Sequence, residues 1–301
     1  MPAPDDRRSR LMLLYTTTGY EAREFIRTAR HLGVETVLGS DRCDVLDDPW
    51  EDDAVPLRFE RHQEAAQRIV ELAGQRPVTA ILPVGDTPLL SAANASRELG
   101  LLHNAPDAVL SSRNKFLMRQ RLQAAFAQTP AFRCFPMQTD PHLVQHEVPY
   151  PCVVKPLALS ASRGVMRANT PAAFVAAFLR LRALLESPEI RQKQDEANDG
   201  ILVERFIPGA EVALEGLLTA GRLHPLALFD KPDPLNGPFF EETLYITPSR
   251  LSKDLQAEVV RCAEQAAHAL GLCHGPLHAE FRINGQGPWL LELAPRPIGG
   301  L

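Results

Sequence analysis

The chain begins with apolar runs of strand length alternating with amphipathic stretches. "RLMLLYTT" is a continuous apolar run, and "GYEAREFIRTARHLG" spaces its apolar positions as a helix does. "VETVLGS" predicts a second strand, "RHQEAAQRIVELAGQ" a helix, "VTAILPVGD" a strand and "TPLLSAANASRELG" a further helix. Strands alternating with helices of this length imply a parallel sheet with crossover connections. The loops "TTTGY" and "PVGD" fall at the carboxyl ends of strands, where such sheets bind ligands.

"PDAVLSSRNKFLMRQRLQAA" has helical spacing, and "QTPAFRCFPMQTDPHLVQHEVPYP" reads as a proline-rich connection. The pattern then changes. "PCVVKPLAL" predicts a strand, "SASRG" a polar loop, "VMRAN" a strand and "TPAAFVAAFLRLRALLES" a helix. "EIRQKQDEANDG" is charged enough for a surface loop. "ILVERFI", the turn "PGA" and a hairpin turning at "TAGR" follow, then the long helix "SKDLQAEVVRCAEQAAHALG". The chain closes on a second hairpin, "HAEFRINGQGPWLLELAPRP". This half is an α+β pattern with antiparallel pairing, joined to an α/β start.

Composition narrows the class. A chain of 301 residues suffices for about two domains. At 45% hydrophobic and 23% charged it is an ordinary globular composition, and the formal net charge of −5 supplies no global field toward nucleic acid or an anionic membrane. The five cysteines (Cys43, Cys134, Cys152, Cys262 and Cys273) form no CxxC pair, which suits reduced thiols in a cytoplasmic protein. The apolar run 11–15 is too short for a signal peptide or a membrane span.

The closing hairpin carries the first candidate chemistry. Centred on Gln286, it sets Glu280 opposite Glu292, with His278 beside Glu280, and Ala294 and Arg296 beside Glu292 on one face. Two facing carboxylates repel, and burying them unpaired costs several kcal/mol. A divalent cation removes the conflict, since carboxylate, water and phosphate oxygens are the usual Mg²⁺ set. The alternative is a different register with both glutamates in solvent. A zinc pair of His274 and His278 is disfavoured, because Gly275-Pro276 breaks the helix that such spacing needs.

"VVKPLALSASRGV" places Lys155 in an apolar strand just before a loop of small polar residues. Such a loop can cradle phosphate oxygens that Lys155 neutralises; the alternative is an edge lysine reaching water. No GxxxxGK[ST] motif exists, which excludes a P-loop. In "ILVERFIPGAEVALEG" the extended backbone can meet a purine edge and Glu211 can accept from ribose hydroxyls, or the segment is a plain strand–turn–strand. The loop "FDKPDPLNGPFFEE" is long and proline-punctuated, as binding loops are. It offers Lys231, Glu241 and Glu242 for charged groups of a substrate, or it is a solvated surface loop.

The order of these elements is itself informative. A lysine strand with a small-residue loop, "VERFIPGAE", a helix, and an E…E hairpin ending in "APRPIGG" together resemble the ATP-grasp superfamily, and within it the carboxylate–amine ligase branch, which includes amino-acid ligases that make dipeptides. The resemblance covers essentially the whole chain. It implies an α/β pre-ATP-grasp domain (1–112) followed by two α+β ATP-grasp subdomains: a small lobe with linking helices (113–207) and a C-terminal lobe (208–301).

By this resemblance Lys115 and Lys155 reach the phosphates of ATP, and Ser160, Ser162, Arg163 and Gly164 form the loop that closes over them. Glu204, Arg205, Phe206 and Ile207 contact adenine, largely through backbone, and Glu211 contacts the ribose. Glu280 and Glu292 hold Mg²⁺, with Mn²⁺ as the alternative ion. Arg296 holds an acyl phosphate or substrate carboxylate. Independently of the resemblance, His278 shares the face of Glu280 and is either a contact for substrate or phosphate or a structural histidine. The implied reaction is ATP-dependent carboxylate–amine (or carboxylate–thiol) ligation through an acyl phosphate, releasing ADP and phosphate. The partners are small carboxylates and amines rather than nucleic acid or membrane, and the resemblance leaves room for a homodimer.

Two departures stand out. The family's commonest pattern has asparagine two residues after the second glutamate, where this chain has Ala294, so a metal there has fewer protein oxygens or is bridged only by Glu292. The sequence also stops at "RPIGGL", where similar ligases continue, which suggests a fragment. Two rival readings are a biotin- or carbamoyl-type carboxylase acting on bicarbonate and a non-catalytic ATP-binding regulatory protein. A dinucleotide oxidoreductase is disfavoured by the absence of GxGxxG.

Overall fold

The computed structural model describes residues 9–19, 21–42, 54–125, 128–192, 195–241 and 243–299. The chain divides into two compact units: Met1–Val109 together with the residues from Arg296 on, and Leu110–Pro295.

The first unit contains β1 (Arg10–Tyr15), α1 (Ala22–His31), β2 (Glu35–Ser40), β3 (Val55–Pro56), α2 (His62–Gln75), β4 (Ala80–Pro83) and α3 (Leu89–Glu98). Its strands are parallel in the order β3-β2-β1-β4. β1 is apolar without alternation because both faces are covered. Met12 and Leu14 pack with Ile69 of α2 and Ala92 of α3, while Leu13 packs with Phe25 and Ile26 of α1. β3 is a two-residue edge, too short to leave a periodic signal.

The second unit contains two antiparallel sheets. The helix α4 (Pro106–Arg113) leads to α5 (Lys115–Ala125). The helical spacing runs through both, but Asn114 divides them: its Oδ1 accepts from the N–H groups of Phe116 (3.0 Å) and Leu117 (3.2 Å), starting a new helix. The first sheet is built from β5 (Phe132–Pro136), β6 (Cys152–Pro156), β7 (Met166–Ala168) and β8 (Gly200–Arg205), in the order β5-β8-β6-β7. β5 arises inside the proline-rich connection. It is an edge strand, where a proline breaks no ladder. The short helix α6 (Pro141–Val144) follows it, and α7 (Pro171–Leu185) packs Phe174, Phe178 and Leu181 onto this sheet. The charged stretch read as a loop contains the helical turn α8 (Pro188–Arg191) and a 3₁₀ turn, Glu196–Asp199.

The second sheet is ordered β10-β9-β11-β12, from β9 (Ala210–Thr219), β10 (Arg222–Lys231), β11 (Gly275–Asn284) and β12 (Gly287–Ala294). Period-two alternation buries Val212, Leu214, Leu277, Ala279, Phe281 and Leu293 on one face. The helix α9 (Lys253–Leu270) lies against β10 and β12. Each large apolar side chain so buried contributes about 1.5–3 kcal/mol. Ser252 caps α9 through its hydroxyl, and Gly271 ends it. Among the described residues, the cysteines are unbridged and no helix is long and apolar enough to cross a membrane; Cys43 lies outside them.

Candidate active site

The other face of the β9–β12 sheet is polar, in three rows. Lys231, Glu211 and Arg282 pair across β10, β9 and β11. One step along, Ala213, Glu280 and Glu292 pair across β9, β11 and β12, and beyond them Glu215, His278 and Ala294.

Glu280 therefore does face Glu292, but for a reason the hairpin's centre does not contain. The turn pairs Asn284 with Gly287, and that register holds to Phe281 and Leu290. It then shifts, so that Leu291 is an extra residue in β12 and Glu280 meets Glu292. Without this bulge the two glutamates occupy opposite faces of the sheet.

The carboxylates are held by cations. Lys231 Nζ lies 2.7 Å from Glu280 Oε1 and 2.9 Å from Glu211 Oε1. Arg282 Nε donates to Glu211 Oε2 at 3.1 Å and its Nη1 to the Ile207 carbonyl at 3.2 Å. His278 bonds Glu215 through Nδ1 and lies 3.3 Å from Glu280 Oε1 through Nε2. Burial alone lowers the His278 pKa, but the hydrogen bonds and charges of Glu215 and Glu280 outweigh it and bring it up to about 9. Burial also works against ionisation of Glu280, and Lys231 and His278 overcome it, holding that carboxyl well below its ordinary range. Glu211 is pushed up by burial and by the neighbouring Glu280 charge, against Lys231 and Arg282.

Lys231 thus belongs to the sheet, not to the proline-punctuated loop, and at 4% exposure its ammonium serves the glutamate pair. This corrects its placement in that loop. Glu241 lies in that loop and is exposed; Glu242 is outside the described residues.

A second constellation joins α5, the first sheet and β12. Lys155 Nζ lies 2.7 Å from Glu204 Oε2, whose other oxygen accepts from Arg119 Nε at 2.5 Å. Burial opposes the Glu204 charge, but Arg119 and Lys155 together bring its pKa down to about 2. Lys115 Nζ donates to the Leu159 carbonyl at 2.9 Å and lies 3.2 Å from Glu292 Oε1. The Glu204 side chain is thus an internal partner of two cations.

In the adjoining segment Arg205 is exposed, while Phe206 and Ile207 are buried. The Phe206 N–H is taken by the Pro151 carbonyl at 2.9 Å, and its ring is covered by Arg167 at 3.9 Å. Those atoms and the Ile207 carbonyl already serve the fold. The loop from Ser160 to Gly164 turns through positive φ at Ala161, Ser162 and Gly164. Its Arg163 is engaged in a two-point pair with Glu189 of α8, at 2.8 and 2.9 Å. Arg296 belongs to the first unit, where its Nε donates to Asp86 at 2.8 Å.

Sequence reasoning missed Arg119, Glu189, Glu215 and Arg282. Three left a periodic trace: Arg119 is one helical turn beyond Lys115, and Glu215 and Arg282 share strand parity with Glu211 and Glu280. Glu189 left none.

The donor chemistry fits a divalent ion. Two carboxylates from adjacent strands face each other. That is the partial shell Mg²⁺ takes when phosphate and water complete it.

An ATP-grasp domain family matches residues 148–301, and an ATP-grasp N-terminal domain family matches residues 26–102. The chain is 25% identical over 308 residues to an alanine–anticapsin ligase of Bacillus amyloliquefaciens, covering 95% of this chain and 64% of that protein. It is 32% identical over 255 residues to carnosine synthase 1 of Gallus gallus, covering 80% of this chain and 27% of the synthase. The crystal structure of an L-amino acid ligase from Bacillus licheniformis aligns with a TM-score of 0.82 at 28% identity, covering 98% of this chain and 69% of that one. The chain thus spans 64% of the length of the anticapsin ligase it matches.

Proposed function

This chain belongs to the ATP-grasp family, and from that premise we propose that it is an ATP-dependent carboxylate–amine ligase. The observation that carries the reading is the pairing of Glu280 with Glu292 on a sheet face rich in cations. In the proposed reaction a carboxylate oxygen attacks the γ-phosphorus of ATP, the bond to the β-phosphate oxygen breaks, and ADP leaves. An amine then attacks the acyl carbon of the acyl phosphate, phosphate departs, and the amine loses a proton as the amide forms.

Phosphoryl transfer depends mostly on positioning and charge neutralisation. Mg²⁺, when bound to Glu280 and Glu292, supplies a template and Lewis acid for the phosphate oxygens. Lys115, beside Glu292, and Lys155, on β6, neutralise the remaining phosphate charge in this reading. The loop from Ser160 to Gly164 covers the triphosphate, the segment from Glu204 to Ile207 adjoins adenine, and Glu211 serves the ribose. Arg296 keeps the role of holding the acyl phosphate. The alanine–anticapsin and L-amino acid ligases among the relatives are named for amino-acid substrates, which makes amino acids the first substrates to try.

The test is release of ADP and phosphate from Mg²⁺·ATP against pooled amino acids, small carboxylates and bicarbonate, with Glu292→Gln alongside. Release that needs both a carboxylate and an amine, and is lost in a folded Glu292→Gln variant, is the expected result. Release with bicarbonate alone points to a carboxylase. Nucleotide binding without release from any pool points to a non-catalytic protein.

A further inference from the structure

Arg119 is 1% exposed, the largest side chain so completely buried among the described residues. Its Nη2 donates to the carbonyl of Leu291 at 2.7 Å, while its Nε donates to Glu204. Leu291 is the extra residue of the β12 bulge. A ladder continued in the turn's own register pairs Glu280 with Leu291 and aims Glu292 at the apolar face. The bulge therefore decides whether the two carboxylates meet, and a bulge frees backbone groups that need partners. Arg119 supplies one. Through Glu204 the same guanidinium also holds the acceptor of Lys155. Its remaining nitrogen, Nη1, is buried with no hydrogen-bond partner among the described residues.

We propose that Arg119 is a positioning residue for the metal and phosphate groups: it fixes the Leu291 bulge, and with it Glu292 opposite Glu280, while setting Lys155 through Glu204. The inference rests on the site reading above. A lysine at this position brings the charge that Glu204 needs without the planar fork that reaches two acceptors.

Mn²⁺ binding to the ADP-saturated protein, followed by the electron paramagnetic resonance of free Mn²⁺, tests this without turnover. Arg119→Lys is expected to fold, by circular dichroism, and to bind Mn²⁺ about 10- to 100-fold more weakly, the range for residues that orient metal ligands. Glu292→Gln is expected to weaken binding in the native background and to add little on top of Arg119→Lys, because both act through one carboxylate. A purely structural arginine gives losses that multiply, which overturns the inference, as does native Mn²⁺ affinity in Arg119→Lys. A second variant, Arg119→Met with Glu204→Leu, replaces the buried pair by apolar groups, which cores often tolerate. It is expected to show the same loss of Mn²⁺ binding. If the native protein with ADP binds no Mn²⁺, the site reading itself falls, and this inference with it.

Discussion

The ammonium of Lys231 lies 2.7 Å from the carboxylate of Glu280 and also holds Glu211, 2.9 Å away. It is the bridge between two carboxylates on adjacent strands. Lys231→Met leaves them without it, and removing one partner of a buried ion pair costs about 3–5 kcal/mol. Mg²⁺ held by Glu280 and Glu292 should restore part of that loss by giving Glu280 a positive neighbour again. Thermal unfolding with and without Mg²⁺ checks this: the ion should raise the midpoint of Lys231→Met more than that of the native protein.

Acid stability should depend on Glu204. Its carboxyl is held down at about 2 by Arg119 and Lys155, against burial, from an ordinary value of 4.5. A depressed folded pKa gives stability that is present above the ordinary value and lost as pH falls toward the folded one. Urea midpoints measured from pH 5 down toward pH 2 should therefore fall less steeply in Glu204→Gln, although that variant starts less stable at neutral pH. Parallel slopes would falsify the assignment.

Gly209 turns the chain from β8 into β9 with φ of +136°, and a Cβ there runs into the Ile283 carbonyl. The obstacle is backbone, so it cannot swing aside. Gly209→Ala should cost more than about 2 kcal/mol, from strain and overpacking together. Chemical denaturation measures this, and a loss below 1 kcal/mol would show that the turn relaxes.

The pair between Arg163 and Glu189 is exposed on both sides. Such pairs contribute about 0–1 kcal/mol, so Glu189→Gln should leave the melting temperature nearly unchanged. It also frees Arg163 for phosphate. On the proposed reading the KM for ATP should fall with kcat little altered, and an unchanged KM would show that Arg163 does not meet the nucleotide.

The parallel unit was legible because both faces of its strands are covered, which makes β1 a continuous apolar run. The polar face of the second sheet was half legible. Glu280 and Glu292 could be paired on paper, but Leu290 and Leu293 are both buried although three residues apart. That breach of alternation is the trace of the bulge, and it shows only when burial is known. Asn114 hid a helix boundary inside a helical pattern, because capping is a matter of side-chain direction. The ion pairs of Lys231 were not legible because its partners, Glu211 and Glu280, lie 20 and 49 residues away.

Lys115, Lys155 and Lys231 each already grip a glutamate. On the proposed reading a nucleotide enters by exchange, as an ion does on a charged resin: the phosphates take over lysines and release Glu292 and Glu204 from their partners. A released carboxylate at Glu292 then calls for a positive charge of its own. The divalent ion and the nucleotide are thus stoichiometric counterparts, each making room for the other, and neither should occupy the face as tightly alone as together.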